Sequence, residues 1–300
     1  MKATATEMSA SVNASKATFS VLADLVKARL TGLVLLTTLV GFYLGNQGAA
    51  NIPLLFAAML GTGLLAAGAA SLNQYLERDF DKLMPRTQDR PIPAGLMSAE
   101  ATLVFGGILS VVGLVELALF VNLLTSLLGA ITIALYLFVY TPLKRVTSLN
   151  TIIGAVPGAL PPLMGWTAAR GSIDMAGWSL FAILFFWQLP HFLAIAWMYK
   201  DEYGQAGYVM LPNVDPSGAR TARQALSHTL GLLPVSLCPS VFGITGGVYF
   251  LGATLMTLVF IGCAFSFTRH LNRASARRLF FCSIIYLPLL LGLMVLDKVS

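Results

Sequence analysis

The sequence predicts an all-α integral membrane protein, a bundle of nine transmembrane helices. Its composition is the first reason: 57% of the 300 residues are hydrophobic and only 11% are charged, whereas a water-soluble domain carries about 25% charged residues. The second reason is that nearly continuous apolar runs of about 20 residues, enough to cross the hydrocarbon core of a bilayer, recur along the chain. The same composition excludes disorder, and three cysteines are too few for a disulfide scaffold.

The apolar runs define the predicted helices in chain order. The first run carries no charge between Thr31 and Leu44, and the very short loop between the third and fourth runs predicts an antiparallel hairpin. Glycines and prolines between 154 and 165 predict a kinked, close-packed span near the cavity, and Pro234 and Pro239 interrupt the seventh run. The nine predicted spans are 30–46, 53–76, 98–120, 122–140, 150–168, 175–199, 223–242, 247–267 and 278–296. Residues 1–22 are predicted to form a polar cytoplasmic tail, and residues 23–300 a single transmembrane domain.

The basic residues predict the orientation of the bundle. With nine spans and the N-terminus in the cytoplasm, 17 of the 19 lysines and arginines fall on the cytoplasmic side, and only Arg170 and Lys298 fall outside. This asymmetry is the one that the positive-inside rule describes. The formal net charge of +6 therefore needs no nucleic acid to explain it, and the lipid bilayer is the expected partner.

One face at the end of the second span carries three oxygen-bearing side chains. Asn73, Glu77 and Asp81 follow one another at a spacing of four residues, which places them on one side of a helix. Such groups repel one another unless a cation bridges them, and oxygen ligands favour a hard ion such as Mg²⁺. A solvated helix end is the alternative. Arg86 and Arg90 follow in a proline-stiffened loop, where they either neutralise the acids or bind a diphosphate bidentately.

A second polar cluster closes the sixth span, four spans after the first. It contains Lys200, Asp201 and Glu202. An even number of spans separates the two clusters, so both lie on the same side of the membrane and a parallel repeat would bring them to one cavity mouth. Lys144, at the end of the fourth span, lies on that side as well and adds a cation.

These motifs resemble those of the UbiA family of membrane prenyltransferases. The family's first motif, roughly N-D-x-x-D-x-x-x-D, matches Asn73, Gln74, Glu77 and Asp81, with Gln and Glu replacing two of the Asp residues. The segments 87–95 and 140–144 match as well, and the resemblance covers about 27–295. Within the family, the segments 186–192, 199–203 and 207–212 resemble the branch that acts on haem. The family's second motif, D-x-x-x-D, is incomplete because Gln205 follows Asp201.

The resemblance implies that the nine transmembrane helices surround a central, lipid-accessible cavity. It also implies transfer of a farnesyl group from farnesyl diphosphate to a vinyl group of haem B, giving haem O and diphosphate in a bacterial inner membrane. It further implies haem A synthase or terminal oxidase assembly proteins as partners. The implied Mg²⁺ ligands are Asn73, Glu77, Asp81 and Asp201, which act in catalysis together with Lys144. The implied diphosphate ligands are Arg86, Arg90, Lys144 and Lys200, with Arg29 as a further candidate whose alternative role is a positive-inside anchor.

His191 lies within the sixth span, where an ionisable side chain is costly and usually functional. The resemblance implies contact with haem, and His191 would either ligate the iron, act as a base or donate a hydrogen bond across the bundle. Gln188, one turn earlier, is its expected neighbour in haem binding.

Two other functions remain open at the level of sequence. A prenyltransferase that acts on an aromatic quinone precursor would share the metal and diphosphate sites. A secondary transporter would carry charges and discontinuous helices near the midplane of the membrane, whereas this chain places its acids at helix ends.

Overall fold

The computed structural model describes residues 18–49 and 51–299, and this part of the chain is almost entirely helical. Within it we number nine long helices. They are α1 (Ala28–Gly45), α2 (Ile52–Asp81), α3 (Ala99–Val121), α4 (Leu123–Leu143), α5 (Asn150–Arg170), α6 (Met175–Met198), α7 (Ala219–Val241), α8 (Gly247–His270) and α9 (Arg273–Leu296). Short helices at Lys200–Gln205 and Leu211–Val214 lie between α6 and α7.

Eight of these helices are long and apolar enough to cross a membrane, which confirms the all-α membrane class. The exception is α7, which begins with Arg220 and Arg223 and contains His228, so the count of nine spans stays a prediction. It nevertheless runs unbroken through Pro234 and Pro239. The predicted tail lies mostly outside the described residues, and its last part, residues 18–22, is helical.

The helices pack as a closed ring around the predicted cavity. In this ring α1 packs against α2 and α5, both α2 and α5 pack against α4, α6 packs against α5 and α9, and α9 packs against α1. Helix α3 lies behind α2, and α7 and α8 lie behind α6 and α9. The largest buried apolar cluster lies among α6, α7, α8 and α9 and includes Leu193, Phe260 and Leu290.

Glycine permits the closest crossing of the ring, between α1 and α5. A Cβ atom on Gly41 would overlap the carbonyl group of Pro162, and one on Gly165 would overlap the carbonyl oxygen of Thr38. Small residues allow membrane helices to approach in this way, and the contact area stabilises the pair. The crossing therefore fixes α1 beside the cavity.

The predicted glycine- and proline-rich span is α5, which remains helical through Pro157, Pro161 and Pro162. Its cavity-facing side also carries Gly154 and Gly158. Glycine has no side chain and the proline ring is compact, so α5 leaves room for a ligand at the centre of the bundle.

Candidate active site

A cavity of about 480 Å³ lies at the centre of the helix ring. Its walls come from α1, α2, α4, α5 and α6, with Leu287 from α9. The interior is mostly apolar, and the charged residues gather at one end, where α1 begins and α2 and α4 end. A smaller cavity of about 70 Å³ adjoins this polar end and shares several of its residues. The residues common to both cavities are Glu77, Arg86, Arg90, Tyr140, Lys144, Tyr203 and Met210.

The predicted oxygen-bearing face of α2 is turned inward. Asn73, Glu77 and Asp81 are buried, with 0%, 4% and 2% of their surfaces exposed. Asn73 and Glu77 line the large cavity, and Glu77 and Asp81 line the small one. Each accepts hydrogen bonds from a different cation: Lys27 Nζ lies 2.7 Å from Asn73 Oδ1, Lys144 Nζ 2.7 Å from Glu77 Oε1, and Arg90 Nη1 2.7 Å from both oxygens of Asp81.

These contacts offset the repulsion that the sequence pattern implies, because each of the two carboxylates is paired with its own cation, Glu77 with Lys144 and Asp81 with Arg90. Breaking a buried pair of this kind by removing one partner costs about 3–5 kcal/mol, since the other charge is left without compensation. The site holds two carboxylates and the cations Lys27, Arg86, Arg90 and Lys144. Positive charge is therefore in excess, and the polar end of the cavity suits an anion.

Lys27 is a site residue that the sequence analysis missed. It precedes α1 in a left-handed conformation with φ of 48°. Gln74 anchors this turn by donating to the backbone carbonyl groups of Asp24 and Leu25, at 2.9 and 2.8 Å. Burial, with the repulsion from Arg90 as a further cause, lowers the pKa of Lys27 to about 7. The signal available in sequence was indirect: Gln74 occupies a position of the family motif, and it anchors the turn that carries Lys27.

Arg29, the cation selected from sequence in this region, has a different environment. It is exposed and lines neither of the two cavities described above. Its proposed contact with diphosphate is not supported by this arrangement, whereas its alternative role as an anchor at the membrane surface fits.

Lys144 follows α4 directly and is held by groups from two helices. Besides Glu77, its ammonium lies 4.6 Å from the centre of the Tyr140 ring. Burial alone would lower the pKa of Lys144, but the surrounding groups, chiefly Tyr140 and Glu77, outweigh burial and raise it above its ordinary value. The preceding residues Leu135–Tyr140 form a π-helical turn. The hydroxyl of Thr141 accepts a hydrogen bond from Asn73 Nδ2 at 3.1 Å, which ties this turn to α2.

Arg86, unlike Arg90 and Lys144, pairs with no carboxylate among the ion pairs of the described residues. Its guanidinium donates to the hydroxyl of Tyr203 at 3.0 Å. It also lies 5.7 and 5.6 Å from the ring centres of Tyr199 and Tyr203. The aromatic rings orient the group without neutralising it, so Arg86 is available to an incoming anion.

The second polar cluster contributes to the cavity through residues other than its charges. Tyr203 and Met210 line both cavities. Asp201 is exposed, and the ammonium of Lys200 lies 5.0 Å from the centre of the Trp197 ring. Neither lines a described cavity, and in residues 18–49 and 51–299 no three His, Cys, Asp or Glu side chains form a cluster suited to a metal. The four predicted metal ligands are therefore not brought together, and the roles of Asp201 and Lys200 stay predictions.

Gln188 and His191 line the large cavity together with Glu77, so one space joins the predicted haem contacts to the polar end. Gln188 donates to the carbonyl oxygen of Ala155 at 2.7 Å, and its side chain occupies the space that a Cβ on Gly158 would need. His191 is half-buried, and its Nδ1 lies 2.7 Å from the hydroxyl of Ser283 on α9.

A membrane-embedded helix bundle in which excess cations meet an apolar cavity is suited to a class of molecule that joins an anionic head group to a hydrocarbon chain. The chain belongs to the UbiA prenyltransferase family, whose sequence model matches residues 34–285.

Relatives with known names and structures agree with this membership. A curated relative, the protoheme IX farnesyltransferase of Solibacter usitatus, is 46% identical over 286 residues, which cover 92% of this chain and 97% of the relative. A solved digeranylgeranylglyceryl phosphate synthase is similar in fold, with a TM-score of 0.80 at 16% identity over 93% of this chain and 98% of that one. A UbiA homologue from Archaeoglobus fulgidus bound to GPP and Mg²⁺ gives a TM-score of 0.64 at 14% identity, covering 91% and 99% of the two chains. The two solved structures confirm the predicted fold.

Proposed function

We propose that this protein transfers the farnesyl group of farnesyl diphosphate to a vinyl group of haem B, with addition of water, and releases haem O and diphosphate. The observation that carries the proposal is that the large cavity joins a cation-rich polar end to an apolar interior lined by His191. The 46% identity to a protoheme IX farnesyltransferase, over nearly the full length of both chains, supports haem B as the acceptor.

The cations at the polar end would stabilise the leaving group. Cleavage of the allylic C–O bond leaves the electron pair on the diphosphate, whose negative charge grows in the transition state. Arg86 has no carboxylate partner to exchange, and Lys144 and Arg90 lie beside it in both cavities. Removal of one preorganised donor of this type typically costs about 3 kcal/mol of transition-state stabilisation.

Mg²⁺ is the proposed cofactor, and the donor set on α2 fits it. Mg²⁺ usually takes one or two carboxylates together with substrate phosphates and water, and Glu77 and Asp81 are buried carboxylates with the amide oxygen of Asn73 on the same face. When bound, the ion would neutralise charge on the diphosphate. The homologue that holds GPP and Mg²⁺ supports a role for this ion in the family. Asp201 remains a proposed fourth ligand, since its short helix also carries the cavity residue Tyr203.

The carbon chemistry needs a cavity that excludes water from the allylic carbon. The π electrons of the vinyl group form the new C–C bond to C1 of the farnesyl group as diphosphate leaves. Water then adds to the vinyl carbon next to the pyrrole and loses a proton, which gives the hydroxyethylfarnesyl substituent. The rings of Tyr136 and Tyr140 line the cavity below Lys144 and lie 5.8 Å apart. Their faces are suited to stabilise positive charge on the farnesyl carbon.

Haem B would enter from the bilayer and contact His191 and Gln188. The protein would act in a bacterial inner membrane, where haem O passes to haem A synthase or to terminal oxidase assembly proteins.

The direct test supplies both substrates to the purified protein. We expect detergent-solubilised protein with Mg²⁺, farnesyl diphosphate and haem B to form a farnesylated, hydrated haem that mass spectrometry detects, and EDTA to prevent its formation. Parallel reactions replace haem B with 4-hydroxybenzoate. Prenylation of that aromatic acid without farnesylated haem would overturn the acceptor assignment, and the absence of any prenylated product would overturn the enzymatic proposal.

A further inference from the structure

A serine on α9 contacts the histidine that lines the cavity. Ser283 is fully buried, and its Oγ lies 2.7 Å from Nδ1 of His191. The same Oγ lies 2.6 Å from the carbonyl oxygen of Phe280, one turn earlier on α9. The imidazole ring is stacked between Trp187 and Phe280, at centroid distances of 5.3 and 5.0 Å. Both the plane of the ring and the environment of Nδ1 are therefore fixed.

The two short contacts of Ser283 determine where the imidazole proton lies. A hydroxyl carries one proton, and a carbonyl oxygen only accepts. The contact with Phe280 is therefore a hydrogen bond that Ser283 donates. Oγ has lone pairs left with which to accept, so His191 donates through Nδ1–H. Nε2 consequently keeps its lone pair, and within residues 18–49 and 51–299 His191 makes no second hydrogen bond.

We propose that Ser283 is a positioning residue that holds His191 as the Nδ1–H tautomer and thereby presents the Nε2 lone pair to the iron of the haem substrate. The inference rests on the proposed function, because it takes haem B as the occupant of this cavity. Histidines that bind metals usually donate their other N–H group to a second residue, and loss of that residue typically lowers metal affinity by about 10–100-fold. In this protein the helix of Ser283 makes its hydroxyl an acceptor toward His191.

The test reads haem ligation and needs no turnover. Haem B is titrated into the detergent-solubilised protein without farnesyl diphosphate, and the Fe–histidine stretching band of the reduced complex is recorded by resonance Raman spectroscopy. We expect Ser283→Ala to weaken haem binding about 10-fold or more and to reduce the band, and His191→Ala to abolish it. Ser283→Thr, which keeps the hydroxyl, should retain the band.

A matched control separates this effect from general loss of packing. Ser179 is also buried, lies on α6 with His191, and donates to the carbonyl oxygen of Ala176 at 2.6 Å, but it contacts no histidine. Ser179→Ala should therefore leave the band and the haem affinity unchanged.

The possible failures are distinguishable. A Ser283→Ala protein with wild-type affinity and band, or a His191→Ala protein that keeps the band, overturns the inference even if the enzyme farnesylates haem. A wild-type protein that forms no farnesylated haem overturns the proposed function, whereas the spectra still decide the role of Ser283.

Discussion

Replacement of Glu77 by glutamine tests the polar end of the cavity most directly. Glu77 is 4% exposed and accepts a hydrogen bond from Lys144 at 2.7 Å. At that distance and an effective dielectric constant of about 20, two unit charges attract each other by about 6 kcal/mol. Glutamine keeps an oxygen for the hydrogen bond but removes the charge, so the ammonium of Lys144 is left beside other cations.

We expect two measurable consequences of Glu77→Gln. The free energy of unfolding in detergent should fall by about 3 kcal/mol, the lower part of the range for breaking a buried ion pair. Turnover should fall about 100-fold, because loss of one preorganised electrostatic group costs roughly 3 kcal/mol in the transition state. The Mg²⁺ concentration for half-maximal rate should rise, since the variant has lost one of the two buried carboxylates on α2.

The assay follows farnesylated haem by mass spectrometry over a range of Mg²⁺ concentrations. Glu100→Gln is the matched control, because Glu100 is exposed in the first turn of α3 and lines neither described cavity. Its turnover and Mg²⁺ dependence should equal those of the wild type. A Glu77→Gln protein with wild-type turnover and an unchanged Mg²⁺ dependence would refute the proposed metal site.

Three further predictions concern pH and packing. Lys27, with a pKa of about 7, is charged below that pH and loses its charge above it. The KM for farnesyl diphosphate should therefore rise between pH 6 and 8 in the wild type but change little in Lys27→Arg, which stays charged. Equal dependence of KM on pH in the two proteins would contradict a role of Lys27 in binding diphosphate. Burial alone would raise the pKa of Asp215, but hydrogen bonds from Thr221 and its neighbours outweigh burial and lower it. This stabilisation is present above the ordinary pKa and is lost as pH falls through the lowered one. Asp215→Asn should therefore lower the free energy of unfolding by about 1 kcal/mol at pH 7, whereas the variant and the wild type should be equally stable below the lowered pKa; an equal deficit at both pH values would refute the assignment. Gly165→Ala should lower the free energy of unfolding by about 1–3 kcal/mol, because the added methyl group overpacks the α1–α5 crossing. Gly107→Ala, with open space around its Cβ position, should be as stable as the wild type. Equal stability of the two variants would refute the close packing at this crossing.

Sequence patterns predicted the helices and the shared face of α2 because both depend on local periodicity. An apolar run of about 20 residues has few alternatives to a membrane helix. A spacing of four residues places Asn73, Glu77 and Asp81 on one side of α2 whatever the rest of the chain does. The same reasoning identified Gln188 and His191 as polar residues within a span, and both line the cavity.

The tertiary structure alone decided which charges meet. Lys27 and Asn73 are 46 positions apart, and Lys144 and Glu77 are 67 positions apart. Such pairs depend on how helices cross, which the spacing within one helix does not encode. The left-handed turn at Lys27 directs that lysine into the cavity, whereas Arg29 remains outside, and the packing of α9 against α6 brings Ser283 to His191. The sequence by itself determined the membrane architecture and the residue types of the site, and helix packing determined its members and their protonation.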